Sequence, residues 1–255
     1  MGNNTFTQTG DDVVTVLTLS RPHCLDIEGK HALIEAVNSL VETVTLRVLI
    51  IAASHPQAWL VNVAELAEMS PAEARNFSQV GHKLADALAS VPVPVIAAVD
   101  GGALGGGCEL VLACDIAIAG TMARFGQIEA MGGVLPAFGG TWRLARRVGY
   151  QRAMQMLFTA EVVDAQTAKA IGLVLDVVPS GELLDRAREL AAQVGKVSRQ
   201  SVAAIKRVVA AGTNLAPSAI SALEEEAFAS LFGAGDQRDR MRAFLASQAA
   251  QPVSR

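Results

Sequence analysis

The sequence predicts an α/β fold, on three observations. Short apolar runs with strand character alternate with longer stretches of helical periodicity through the first two thirds of the chain. The 255 residues are 51% hydrophobic but only 4% aromatic, so the core must be built from Ala, Val, Leu and Ile, which suits strands covered by helices. A central stretch, residues 94–115 (PVIAAVDGGALGGGCELVLACD), has the order strand, glycine loop, helix start. A chain of this length holds one large core, or one core with a small appendage.

Residues 13–19 alternate after Val13 and stop at Ser20-Arg21-Pro22, a strand running into a turn. Over residues 27–46 apolar side chains recur at Leu33, Ile34, Val37, Leu40, Val41 and Val44, one helix face, and residues 47–53 form a near-continuous apolar run. Strand, helix, strand is the pattern of a parallel crossover unit with both sheet faces covered. Ser54-His55-Pro56 breaks the pattern, and residues 58–69 read as irregular or as a short helix. At Ser70-Pro71-Ala72-Glu73 a helix starts, with Ser70 as N-cap, Pro71 in the first turn and Glu73 placed to close a capping box. That helix is expected to run to Ala89.

Beyond the central stretch, residues 115–119 predict a strand and residues 123–131 a further extended piece. Gly132-Gly133-Val134-Leu135-Pro136 makes a second glycine-rich turn. Gly139-Gly140-Thr141 opens a helix whose Arg143, Arg146 and Arg147 are expected on a solvated face. Asp164 caps a short helix ending at Gly172, and residues 173–178 form a last strand. From Pro179 to Ser247 every segment is helical in pattern, with breaks near Gly195, at Gly212-Thr213-Asn214 and at Gly233-Ala234-Gly235. A helical last third after an alternating body suggests a lid or an oligomer interface.

The central stretch carries the chemistry. Its apolar strand closes at Asp100-Gly101-Gly102, and Gly105, Gly106 and Gly107 then lead into an apolar helix interior at residues 110–113. Glycines let a ligand atom approach the backbone, and the first helical turn offers unpaired N–H groups and the positive end of the dipole. Such a place binds an anion, or an oxygen about to become one. No three glycines here have the G-x-G-x-x-G spacing and no lysine follows them, so both phosphate-cradle readings are weak. Glu109, two residues past the last glycine, either serves chemistry at this site or complements the helix dipole, and the residues alone leave both open.

A net charge of −4, with no basic stripe, argues against a nucleic-acid partner. The start, MGNNTFTQTGDD, lacks the basic and apolar parts of a leader, and no apolar run is long enough to span a bilayer. The expectation is a soluble, cytoplasmic chain without a membrane partner. Cys24, Cys108 and Cys114 show no metal-ligand pairing and read as small buried thiols, so no metal or redox cofactor is implied.

Several of these segments together resemble the enoyl-CoA hydratase/isomerase, or crotonase, family. They are residues 91–119 (VPVPVIAAVDGGALGGGCELVLACDIAIA), 123–149 (ARFGQIEAMGGVLPAFGGTWRLARRVG) and 164–179 (DAQTAKAIGLVLDVVP), while residues 236–244 (DQRDRMRAF) resemble the family's C-terminal helix. The resemblance implies a crotonase-like spiral of ββα units with a helical C-terminal region that builds trimers, usually paired into hexamers. It divides the chain into an α/β core with the acyl-CoA site, residues 1–195, and a helical region for trimerisation and site closure, residues 196–255. Coenzyme A is then part of the substrate rather than a cofactor.

Carried over by position, Gly106 offers one N–H to the thioester oxygen, and Glu109 and Glu129 match the two catalytic glutamates at the hydratase spacing. Family isomerases generally keep an acid only at the position of Glu129, so holding both favours hydration. The resemblance gives Glu109 the holding and activating of water and Glu129 the protonation of the α-carbon; the other reading of Glu129 is a surface acid at a strand end. Val63, Gly105, Gly133, Pro136 and Ala137 are expected to line the substrate.

Departures from the family pattern fall near the other oxyanion donor. The family's AFxAGADL is here AWLVNVAELAEM, residues 58–69; with Glu65 at the family's Asp the donor is Ala64, and a shift of one makes it Val63. Cys24-Leu25-Asp26-Ile27 replaces the family's Asn-Ala-Leu, Ile128 stands for a proline, and Ala137 for a common glycine. The functional readings are an enoyl-CoA hydratase, an isomerase or other thioester-enolate enzyme, and a non-catalytic acyl-CoA binder. Lys206, Arg207 and Arg21 are candidates for the coenzyme phosphates, or solvated side chains.

Overall fold

The computed structural model describes residues 5–212, 215–233 and 235–249. It divides into two compact units, the first ending at Val194 and the second starting at Gly195.

The first unit runs β1 (Phe6–Gly10), β2 (Val14–Leu19), α1 (Ile27–Val41), β3 (Val48–Ala53), α2 (Val63–Ala67), α3 (Pro71–Ser90), β4 (Val95–Val99), β5 (Gly102–Leu104) and α4 (Gly106–Ala113). It continues with β6 (Ile116–Gly120), β7 (Arg124–Gly126), a 3-10 turn (Glu129–Gly132), α5 (Gly140–Val148), α6 (Tyr150–Thr159), β8 (Val162–Asp164), α7 (Ala165–Ala170), β9 (Asp176–Val178) and α8 (Leu183–Gly195). One sheet has the order β1-β2-β3-β4-β6-β9, and a smaller one the order β5-β7-β8. In the large sheet only the β1–β2 pair is antiparallel.

Two faces of the large sheet are buried, as strands without polar alternation require. Leu49, Ile51, Val95, Ala97 and Val99 pack with α1, α3 and α4, whereas Val48, Ile50, Ile96 and Ala98 pack with Leu183, Ala187 and Ala191 of α8. The period of two along β3 and β4 sorts these side chains. On α3 the expected capping box is present, with Ser70 and Glu73 bonded reciprocally. Likewise Asp164 caps α7 by accepting from the Thr167 N–H.

Some extents differ from the sequence reading. β1 was not foreseen, because FTQTG shows no apolar alternation and all but Phe6 of it is exposed; it pairs at the sheet edge through its backbone. α1 ends at Val41, leaving Val44 79% exposed beyond it. The extended piece expected over 123–131 stops at Gly126, and Glu129 already belongs to the 3-10 turn. In the predicted last strand only Asp176–Val178 pairs.

The second unit holds α9 (Arg199–Gly212), α10 (Pro217–Ser230), a 3-10 turn (Leu231–Gly233) and α11 (Asp236–Ala249). The predicted helical breaks include Thr213, Asn214 and Ala234, which lie outside the described residues, as do residues 250–255 of the expected C-terminal region. No helix among the described residues is long and apolar enough to cross a membrane.

What places the site is the junction of β5 and α4. A Cβ on Gly107 would lie 1.6 Å from the Trp59 carbonyl oxygen, so the first turn of α4 rests directly on the backbone of the chain leading to α2. Gly107→Ala is therefore expected to cost at least about 2 kcal/mol through overpacking, read as a drop in the urea midpoint, with loss of activity in parallel.

Candidate active site

Gly105, with φ of +56°, turns the chain into α4 without a side-chain cap. A Cβ there would meet Glu129 Oε1 at 3.2 Å, so a side chain would both strain the turn and crowd the acid. The N–H of Gly106, first in the helix, is one of the donors that an α-helix cannot satisfy itself.

Glu109 follows on the same turn and is 1% exposed. Its carboxylate accepts three backbone N–H groups: Phe138 and Gly140 at 2.7 Å on Oε1, and Ala137 at 3.2 Å on Oε2. Burial pushes its pKa up, and the three donors with the more distant Arg143 charge pull against that. Gly140 is obligatory here, since a Cβ would stand 2.9 Å from Glu109 Oε1 and 2.8 Å from the Gln127 amide.

The donor loop is itself tied down. Ser78 of α3 donates its hydroxyl to the Ala137 carbonyl at 2.7 Å, and Arg143 donates to the Phe138 carbonyl while pairing with Asp86 of α3 at 3.2 Å. Arg143 is thus 8% exposed rather than on a solvated face, because the loop carbonyl and Asp86 draw its guanidinium inward and the Trp142 ring covers it. Arg147 likewise turns in to the Cys114 carbonyl at 2.8 Å.

Glu129 opens the 3-10 turn and is partly buried beside Gly105. Its pKa is raised to about 7, first by burial and second by the Glu109 charge. Gln127, 1% exposed, donates its amide nitrogen to both Glu129 oxygens at 3.1 Å and lies next to Gly140. The sequence reading passed over Gln127, and no strand alternation could have found it, because β7 stops at Gly126 and Glu129 already lies in the 3-10 turn.

Across the site, Asn62 caps α2 and its Oδ1 accepts the Ala64 N–H at 3.2 Å. The N–H groups of Val63 and Glu65 in the same first turn of α2 have no bonded partner among the described residues. The approach to α2 is held by His23 and Cys24, whose N–H groups bond to the Gln57 and Ala58 carbonyls at 3.0 and 3.3 Å, and by the His23 ring at Val61 O. Val61 in turn borders Gly106. Where the family's Asn-Ala-Leu is missing, Asp26 caps α1 at the Gly29 N–H and takes both its oxygens to Arg21 at 2.8 Å, so Arg21 is engaged in the fold.

Of the remaining residues singled out, Ala137 touches Glu109, Pro136 is buried just before it, and Gly133 (φ of +75°) sits in an exposed turn with Val134 and Leu135. On α9 in the second unit, Arg207 is exposed and Lys206 partly buried. Cys108 is fully buried, its pKa pushed up to about 12 by burial and both glutamates, which makes it inert. Two further residues escaped the sequence reading. Phe138 lies where Cβ atoms on Gly81 and Gly106 would be, and Lys30, fully buried, has its ammonium 3.1 Å from the centroid of the Phe77 ring.

A family model for enoyl-CoA hydratase/isomerase matches residues 9–251. The chain belongs to that family. It is 37% identical to the short-chain-enoyl-CoA hydratase of Clostridium acetobutylicum, covering 91% of each chain, and 36% identical to the crotonyl-CoA hydratase of Syntrophomonas wolfei, covering 96% of each. Among solved structures, an enoyl-CoA hydratase from Bacillus anthracis superposes with a TM-score of 0.89 at 27% identity, over 96% of this chain and 97% of that one. The crotonase fold expected from the sequence is the one observed.

The state of Glu129 gives a stability test. Unfolded, it ionises near 4.5; folded, it holds its proton to about 7, so between these values the folded chain binds more protons and stability falls as pH rises. Glu129→Gln is expected to melt above the parent at pH 8, by at most about 3 kcal/mol, and to lose that advantage at pH 4. A gap that does not change with pH would show that Glu129 titrates normally.

Proposed function

We propose that this chain is an enoyl-CoA hydratase, a hydro-lyase that adds water across the double bond of a short-chain trans-2-enoyl-CoA thioester. The observation that carries this is the convergence of two acids, Glu109 and Glu129, on the glycine turn at the start of α4. Relatives named for short-chain enoyl-CoA and crotonyl-CoA hydration support it.

The thioester oxygen sits between the N–H groups of Gly106 and Val63, each the first of its helix. Negative charge growing on that oxygen during addition is stabilised there, and losing one such donor typically costs about 3 to 4 kcal/mol of transition-state stabilisation. Glu109 keeps lone pairs on Oε2 for a water, while its other contacts fix the direction in which that water is held. As the water oxygen bonds to C3, its proton passes to Glu109 and protonated Glu129 delivers its proton to C2. A proton returning from Glu109 to Glu129 closes the cycle. Two carboxyls with environments that push them apart suit this division of labour.

Phe138, filling the space over Gly81 and Gly106, supports a short acyl chain. No metal or redox group takes part, and coenzyme A arrives with the substrate. Exposed Phe228, Phe232, Met241, Phe244 and Leu245 on the second unit support a trimer or a pair of trimers. Light scattering is expected to give the mass of three or six chains.

The direct test is turnover of crotonyl-CoA, followed by loss of the conjugated thioester absorbance. Glu109→Gln and Glu129→Gln are each expected to lower kcat by roughly 100-fold to 10,000-fold while butyryl-CoA still binds. Loss in the Glu129 variant alone would indicate double-bond isomerisation, and binding without any turnover by the parent a silent acyl-CoA binder.

A further inference from the structure

Lys30 takes no part in the ion pairs of the described residues or in the proposed chemistry, yet it is fully buried on α1. Its ammonium lies over the Phe77 ring, 3.1 Å from the centroid, and over the Phe138 ring at 4.5 Å. Its one hydrogen bond among the described residues goes to the Phe77 carbonyl at 3.3 Å. Burial pulls its pKa down to about 7, against the charges of Glu65, Asp26 and Glu109, which act through space. A methionine of similar volume would spare the fold a desolvated cation, so packing alone does not account for a lysine here.

Of the two rings under this cation, Phe138 is the one that reaches the site. It occupies the space that side chains on Gly81 of α3 and Gly106 of α4 would need, and it packs against Phe77 with centroids 5.3 Å apart. The void left beside it, lined by Leu25, Lys30, Leu84 and Gly106, has room for about one water, so the ring plugs the socket. The backbone of the same residue serves the acid: its N–H donates to Glu109 Oε1 at 2.7 Å, and its carbonyl accepts from Arg143. Ring and N–H share one Cα, so the socket that seats the ring also places the donor.

We propose that Lys30 is a positioning residue for Glu109: by attraction to the ring face its ammonium seats Phe138 in the socket between Gly81 and Gly106, and the seated residue aims the carboxylate through its N–H. Attraction between a cation and a ring is greatest where water is excluded, as it is here. The buried charge lowers stability and gives order at the acid, a trade that active sites make elsewhere. The kinetic consequence rests on the hydratase reading: an acid aimed less well holds its water less well, and kcat falls while the thioester still binds. Lys30 itself touches neither substrate nor water.

Order in the loop is measured apart from turnover. Amide hydrogen exchange is followed by mass spectrometry on the parent, Lys30→Met and Lys30→Gln at about pH 6, where Lys30 holds its proton. Peptides covering residues 137–140 are expected to exchange at least about fivefold faster in both variants, with peptides from β3 unchanged. On crotonyl-CoA both variants are expected to lose roughly tenfold in kcat, while the dissociation constant for butyryl-CoA stays within about twofold. In a Phe138→Leu background, Lys30→Met is expected to bring no further loss, because the ring through which it acts is gone. Unchanged exchange at residues 137–140, acceleration matched by β3, an unchanged kcat in variants of an active parent, or an undiminished loss in the Phe138→Leu background each overturns the proposal. Faster loop exchange in variants of a parent that does not hydrate crotonyl-CoA overturns the hydratase reading alone. Hydration by parent and variants at one rate, with exchange unchanged, overturns the lysine reading alone.

Discussion

The structure depends on a buried carboxylate held by backbone. Glu109 is surrounded by apolar strands and helices, and the three N–H groups of residues 137–140 replace the water it has lost. Charge-assisted bonds are stronger than neutral ones, and removing any of these would weaken the solvation of a buried acid. The bonds act in both directions: they orient the acid, and the acid helps to organise a loop that contains two glycines. Arg143 and Ser78 then carry that order outward to α3.

The two glutamates differ because their surroundings do. Glu109 collects backbone donors, whereas Glu129 has the Gln127 amide, the edge of a 3-10 turn and a charged neighbour. Burial raises both pKa values, and the backbone donors around Glu109 pull against that rise, where the only backbone bond opposing it at Glu129 is its own. The glycines at 105, 106 and 140 make this proximity sterically allowed, each being a point where a methyl group would contact an acid or a ring.

Much of this was legible in the sequence. The apolar runs of β3 and β4, the cap of α3 and the glycine turn before α4 each carry a local signal strong enough to survive tertiary packing. The acids were legible as residues, and their roles only through resemblance, since nothing local to Glu109 reveals that its partners lie in residues 137–140. What escaped detection shares one cause. β1 is polar and is held by its backbone, Arg143 and Lys30 look like surface residues until the partners that bury them are in place, and Phe138 looks like ordinary core. For α2 the letters left two registers for the donor, and what they did not reveal is that Asn62 caps the helix by accepting the Ala64 N–H.

The ties from α3 to the 137–140 loop bear on how such an enzyme can diversify. The helix that contributes Gly81 and Leu84 to the cavity beside Gly106 and Phe138 also anchors, through Ser78 and Asp86, the loop that aims Glu109. Moving α3 to admit a bulkier chain would therefore disturb the aim of the acid, so selectivity and rate are mechanically coupled along that helix. Exchanges confined to side chains that face the cavity avoid the coupling. Descendants of this chain with new substrates should have altered the lining while leaving the anchors alone.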